Sequence, residues 1–241
     1  MTLIPPIYKP APFEGKLIQK DKLTHDVYEF IFEVISPEDF QFEPGQFINI
    51  DIPGDEKKIV RSYSIASCPC EKELTLWIKI VDGPGSKYFN NLEIGKTVSG
   101  SGPFGIFAVK DDWQENMLFI ATGTGVAPMH SMIKYQLSRN FSNKMTLMFG
   151  LRHEEDIFYD EFFTALSAEH DNFEYSLTLS QPKDTWQGRE GRVTSLIRDK
   201  EFDLDNLRIF ICGSQTMIEE VSSIFKEMGL SEERIHHEKF Y

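Results

Sequence analysis

The chain has 241 residues, 41% of them apolar and 26% charged, enough to bury one large core or two of ordinary size. Its formal net charge of −13 excludes a general nucleic-acid binder, which needs a basic face, and no apolar run approaches the roughly 18 residues of a membrane span. Three cysteines, Cys68, Cys70 and Cys212, without framework spacing fit a reducing compartment, and they are too few for a thiolate-held iron–sulfur cluster.

Residues 1–15 are rich in proline and lack the basic-then-apolar order of a signal peptide, so a soluble, cytoplasmic protein with no membrane partner is expected. Residues 16–109 read mainly as strands. Tyr28, Phe30, Phe32 and Val34 alternate with Glu29, Ile31 and Glu33; Leu74, Leu76, Ile78 and Ile80 alternate with Thr75, Trp77 and Lys79. That is the period of a half-buried sheet. Pro44-Gly45, Pro53-Gly54, Gly83-Pro84-Gly85 and Gly102-Pro103 punctuate the strands, as expected of a closed antiparallel β-barrel.

Within this region Arg61-Ser62-Tyr63-Ser64 places a cation, an aromatic ring and two hydroxyls on one strand, with Arg61 and Tyr63 on one face and Ser62 and Ser64 on the other. The guanidinium suits a phosphate, the ring a flat heterocycle and the hydroxyls a ring nitrogen or carbonyl. The following Cys68-Pro69-Cys70 reads as an incidental loop pair. From Gly83 to Leu92 the pattern changes, and Ser86 is expected to cap a short helix through Tyr88, Phe89 and Leu92. Gly85 and the helix start offer a seat for a pyrophosphate.

Around residues 110–112 the pattern switches, which divides the chain into domains 1–110 and 111–241. Residues 117–122 are a continuous apolar run, and Val126, Met129, Ile133 and Leu137 have helical spacing. Further strands at 145–149, 173–179 and 207–211 alternate with helices at 158–167, 193–199 and 215–228, the order of a Rossmann-like parallel α/β sheet. Gly123-Thr124-Gly125-Val126-Ala127-Pro128 joins the first of these strands to its helix, where glycines and a helix N-terminus receive phosphates, although the third glycine of the usual dinucleotide fingerprint is missing.

Taken in order, these motifs resemble those of the ferredoxin-NADP reductase superfamily. Arg61 to Ser64 matches its flavin signature; Gly83-Pro84-Gly85-Ser86, Gly102-Pro103-Phe104-Gly105, Gly123 to Pro128, Cys212-Gly213 with Met217, and Glu238-Lys239-Phe240 follow in the family's order. The resemblance implies a flavin-binding barrel, a nicotinamide-binding α/β domain, and hydride transfer between NAD(P)H and FAD with single electrons passed to or from a carrier. Tyr63 then stacks on the flavin ring, Ser64 bonds near its reacting nitrogen, and Arg61 and Ser86 hold its phosphates. It also implies that Gly123, Thr124, Gly125 and Pro128 receive the nicotinamide dinucleotide's pyrophosphate. Cys212 and Gly213 lie near the nicotinamide, Glu238 assists proton movement, and Phe240 or Tyr241 covers the flavin.

Ser180 to Lys183 should meet the adenosine ribose. With no clear phosphate-binding cation there, and with residues 186–193 resembling NADH-using oxygenase reductases, NADH is favoured over NADPH. The expected partner is a small carrier such as ferredoxin or flavodoxin, or an oxygenase component, met by a monomer. Lys9, Lys16, Lys20, Lys22, Lys57, Lys58 and Arg61 are candidate contacts. Adjacent His236 and His237 point opposite ways on a strand and read as exposed, and no metal is expected. Cytochrome-b5-reductase-like activity shares the core, as do haem-dioxygenase and nitrate-reductase types; a flavin-less interaction module is the non-enzymatic alternative. A dihydroorotate-dehydrogenase electron-transfer subunit would need a cysteine cluster that the chain lacks.

Overall fold

The computed structural model describes residues 8–54 and 59–239. By its contacts the chain divides into two compact units: Met1–Trp113 with His130–Arg139, and Gln114–Met129 with Asn140–Tyr241. The division thus falls a few residues after the sequence-based one, and it assigns most of the helix Val126–Ser138 to the first unit.

The first unit is an antiparallel sheet curled into a barrel. Its strands are β1 (Ala11–Lys22), β2 (Val27–Ser36), β3 (Phe47–Ile52), β4 (Ile59–Ser64), β5 (Leu74–Lys79) and β6 (Thr97–Phe104), in the order β4-β3-β6-β1-β2-β5. An Ile65–Leu76 bridge joins the two ends of that order. Alternation gives the barrel its inner face: Phe13, Gly15 and Leu17 of β1 point inward while Glu14, Lys16 and Ile18 point out, and Ile48, Ile50 and Ile52 point inward from β3. With Phe30, Phe32, Ile65, Leu76 and Phe89 they fill one core.

Two polar residues break the simple alternation. Glu29 and Trp77, both on the nominal outer face, are buried, because the indole Nε1–H donates to Glu29 Oε1 at 2.8 Å and satisfies both groups away from water. Helix α1 (Pro84–Asn91) follows β5, and its N-cap is Gly83 at φ 145°, not Ser86. Glycine alone reaches that backbone conformation without strain, so Ser86 falls inside the first turn, where its hydroxyl accepts the Val81 N–H at 2.9 Å. The cysteines also differ from expectation. Cys68 and Cys70 are joined by a disulfide, with Cα atoms 5.1 Å apart, and Cys212 alone is a thiol.

The second unit is a parallel sheet: β7 (Asn116–Thr122), β8 (Met145–Leu151), β9 (Phe173–Leu179), β10 (Arg189–Glu190), β11 (Leu207–Gly213) and β12 (Ile235–Lys239), in the order β10-β9-β8-β7-β11-β12. Every residue of β8 is buried, as the helices of a βαβ fold require. Those helices are α2 (Val126–Ser138), α3 (Asp160–Glu169), α4 (Val193–Arg198) and α5 (Gln215–Glu227). The sequence also explains where α5 starts and stops: Ser214 caps it by accepting the Met217 N–H, and Gly229 ends it at φ 102°. Among the described residues no helix is long and apolar enough to cross a membrane.

Candidate functional site

In the first unit, β4 carries Arg61 and Tyr63 to the start of α1. A Cβ placed on Gly85 would lie 2.9 Å from the Tyr63 hydroxyl and 3.1 Å from Arg61 Cγ, so both side chains share one face and pack closely against the helix start that glycine leaves open. Burial pushes the Tyr63 phenol up to about 12, with Arg61 opposing, so it stays protonated at neutral pH. Its ring meets Phe89 of α1 edge-on, with centroids 5.0 Å apart. The exposed Arg61 guanidinium donates to the Val60 carbonyl at 2.9 Å and keeps further donors.

The serines divide by environment. Ser62 is exposed and donates to Asn49 Oδ1 on β3 at 2.7 Å, whereas Ser64 is buried at the end of β4. Ser86, holding the Val81 N–H, still has its own O–H to donate. Together with the α1 N-terminus, which has no side-chain cap, these groups form a cradle for an anionic ligand carrying a flat ring. The lysines are not equivalent. Lys20 Nζ donates to the carbonyls of Phe89, Asn90 and Leu92 at the end of α1, and is thereby withdrawn from any surface patch; Lys9, Lys16 and Lys22 are exposed. Lys57 and Lys58 lie outside the described residues.

A buried group not foreseen from the sequence supports this strand. His130 of α2 places Nδ1 2.7 Å from the Ala66 carbonyl, and Ser131 Oγ donates to the Ser67 carbonyl at 2.6 Å. Both hold the turn that leaves β4. Burial is the main reason that the His130 imidazole is pushed down to about 4. The signal available in the sequence was a His-Ser pair inside an otherwise apolar helical run.

In the second unit, the strand order reverses between β7 and β11, and the candidate residues gather at the carboxyl ends of those two strands. That is the place where open α/β sheets bind ligands. Gly123 to Gly125 form a 3-10 turn with Gly123 at φ 55°, and α2 begins at Val126, so Pro128 sits in the first helical turn. A Cβ on Gly125 would lie 2.4 Å from the Cys212 carbonyl oxygen, and one on Gly213 would lie 2.1 Å from Thr122 Oγ1. The two strand ends approach this closely only because both positions are glycine.

Cys212 is fully buried and in register with Glu238 of β12. Burial first, and the Glu238 carboxylate second, push its thiol well above the usual range, so it remains a thiol. Glu238 is half-buried, and the parallel register sets it beside Cys212. Phe240 and Tyr241 lie outside the described residues. His237 is exposed as expected, but His236 stacks on Phe210 at 5.0 Å, with Nε2 3.2 Å from Arg208 Nη1.

Ser180 follows β9 and donates to the Leu151 carbonyl at 3.3 Å. Of the nearby cations, Arg189 pairs with Asp199 at 2.9 Å and Arg192 with Glu220 at 3.0 Å. Arg152, exposed just after β8, has a backbone carbonyl that accepts the Gln181 N–H; the sequence reading passed over it.

Two family models match the chain, an oxidoreductase FAD-binding domain over residues 14–109 and an oxidoreductase NAD-binding domain over residues 119–223. Ferredoxin–NADP reductase B of Sorangium cellulosum is 34% identical over 238 residues, which is 95% of this chain and 98% of that one. The ferredoxin–NAD(P)+ reductase component of a Ralstonia naphthalene 1,2-dioxygenase/salicylate 5-hydroxylase system is 31% identical over 95% of this chain and 69% of its own length. A ferredoxin NADP+ reductase from Neisseria gonorrhoeae, solved with FAD and NADP, superposes with a TM-score of 0.84 over 97% of this chain and 100% of its own. At 19% identity it supports the fold.

Proposed function

Because the chain belongs to the ferredoxin-NADP reductase superfamily, we propose that it is an FAD-containing, NAD(P)H-dependent reductase exchanging electrons with a separate carrier of ferredoxin or flavodoxin type. The observation that carries this reading is the packing at Gly85, where Arg61, Tyr63 and the bare first turn of α1 converge on one spot. These residues fit FAD: a cation and free backbone N–H groups for its pyrophosphate, a ring and buried hydroxyl for its isoalloxazine. Bound there, FAD supplies two-electron exchange with a nicotinamide and one-electron exchange with the carrier.

The chain's own part is to hold and to exclude. Tyr63, neutral at working pH, offers a flat surface without charge, and Ser64 offers a hydroxyl already removed from bulk water. Arg61, Ser62 and Ser86 orient the anionic end. In the second unit Gly123, Thr124, Gly125 and Pro128 receive the dinucleotide phosphates, Ser180 meets the adenosine side, and Cys212 with Gly213 positions the nicotinamide. A thiol kept protonated this firmly is a positioning group and not a nucleophile. Glu238, alongside it, assists proton movement. In this reading residues 1–110 serve the flavin and residues 111–241 the nicotinamide.

NADH is the preferred donor, since Ser180 to Pro182 hold no phosphate-binding cation and Arg189 and Arg192 pair with Asp199 and Glu220, which leaves the exposed Arg152 and Lys183 as the nearby cations an extra phosphate would have to recruit. The protein acts as a cytoplasmic monomer. Its carrier meets the exposed Lys9, Lys16 and Lys22, a local exception to a net charge of −13. One experiment tests the whole reading: anaerobic titration of the yellow protein with NADH and with NADPH, followed by addition of oxidised ferredoxin. Bleaching faster with NADH, then recovery of colour on adding ferredoxin, is expected. A colourless protein that cannot take up FAD would favour the flavin-less module; recovery with cytochrome b5 alone would favour the other acceptor class.

A further inference from the structure

The Cys68–Cys70 disulfide lies on the turn after β4, outside the residues assigned above to FAD or nicotinamide. A bridge between positions two apart restrains little of the unfolded chain, because loop-closure stabilisation grows with the length of the loop. Its two sulfurs are unequal. Cys68 is fully buried, whereas Cys70 is exposed and lines a cleft of about 450 Å³ walled by Phe40, Glu43, Pro69, Glu73 and Tyr135, all in the first unit.

The backbone around the buried sulfur is already arranged for a leaving thiolate. The Cys70 N–H donates to Cys68 Sγ at 3.2 Å, and the Cys68 N–H donates to Glu71 Oε2 at 2.7 Å. Glu71 is fixed in turn by Lys134 Nζ at 2.5 Å, and the Ser67 carbonyl by Ser131 of the same helix. The turn therefore keeps its shape while the sulfur bonding changes.

We propose that Cys68–Cys70 is a thiol-exchange site for a low-molecular-weight thiol entering the cleft beside Cys70. The incoming thiolate attacks Cys70 Sγ, the exposed sulfur of the pair; the S–S bond breaks, and its electron pair passes to Cys68 Sγ, to which the Cys70 N–H donates. The chain then carries a mixed disulfide on Cys70. A second thiolate attacks the outer sulfur of that adduct and releases the small disulfide. The balance is protein disulfide plus two thiols giving protein dithiol plus one small disulfide, with two protons passing from the small thiols to the cysteines. The step needs neither FAD nor nicotinamide, so it stands or falls apart from the function proposed above.

The test is peptide mapping by mass spectrometry on the air-oxidised holoprotein, incubated without denaturant with glutathione and separately with cysteamine, then acid-quenched. The expected first product is an adduct on Cys70, followed by two alkylatable thiols at Cys68 and Cys70, with Cys212 unlabelled throughout. Cys68→Ser should leave a Cys70 thiol that takes up oxidised glutathione about tenfold or more faster than the Cys68 thiol of Cys70→Ser, since reactivity follows exposure. A first adduct on Cys68 would overturn the proposal. So would a disulfide untouched by both thiols until the chain unfolds, or two free thiols in the air-oxidised protein.

Discussion

In the barrel the candidate ligand groups are side chains, Arg61 and Tyr63 standing beside Gly85, whereas in the parallel sheet they are mostly backbone, Gly123, Gly125 and Gly213 at the ends of β7 and β11. The contact made at each missing Cβ shows what this means. At Gly85 it would be with side-chain atoms that can shift, and at Gly125 with the Cys212 carbonyl oxygen, which cannot move without displacing a strand. The barrel site should therefore be tunable by substitution and the sheet site brittle.

The strongest way to break that comparison is Gly125→Val. With a Cβ 2.4 Å from a strand carbonyl, it should cost the second unit about 3 kcal/mol in denaturant unfolding and slow flavin bleaching by NADH about a hundredfold. Flavin content should be unchanged. A variant of normal stability and rate would mean that the two strand ends have room to part, and that the sheet site is no more rigid than the barrel site.

Acid probes how the barrel site is held. His130 titrates near 4 when folded and near 6.5 when unfolded, so between these values the unfolded chain binds a proton that the folded chain does not. Stability is complete above about pH 6.5 and falls as pH drops, by about 3 kcal/mol by pH 4. Urea unfolding of wild type and His130→Asn across this range measures it. The variant should lose most of the slope; an identical slope would assign the acid sensitivity elsewhere.

Arg61→Ala sharpens the comparison from the side-chain end. Removing a charge-assisted contact should weaken FAD binding by about 2 kcal/mol, or roughly thirtyfold, and leave nicotinamide affinity of the loaded protein unchanged. Gly85→Ala should have the smallest effect. Tyr63 and Arg61 can shift by a few tenths of an ångström, so about 1 kcal/mol of FAD affinity is expected by fluorescence titration. Losses ordered the other way would mean that the helix start, not the cation, dominates the barrel site.

Periodicity and turn chemistry made the two architectures and most of the elements legible. Alternation in β2 and β5, the apolar run of β7 and the glycine turn after it depend on neighbours along the chain, and such local information survives without a fold. The cap of α1 lies three residues before the Ser86 that the sequence suggests, because Gly83 reaches a φ that no pattern of side chains announces. Arg61 and Tyr63 could be put on one face by counting; that the face meets Gly85 could not.

Residue types and their spacing were sufficient to state which groups this chain could offer a ligand, since a guanidinium, a phenol or a glycine turn keeps its chemistry wherever it is placed. Tertiary structure alone decided which of them meet: Glu238 beside Cys212 through parallel register, His130 against the turn after β4, and Cys68 close enough to Cys70 to bond. Each of the first two pairings joins residues far apart in sequence, and the third depends on the exact course of a turn. Such contacts are set by packing and backbone geometry, which a linear pattern of side chains does not encode.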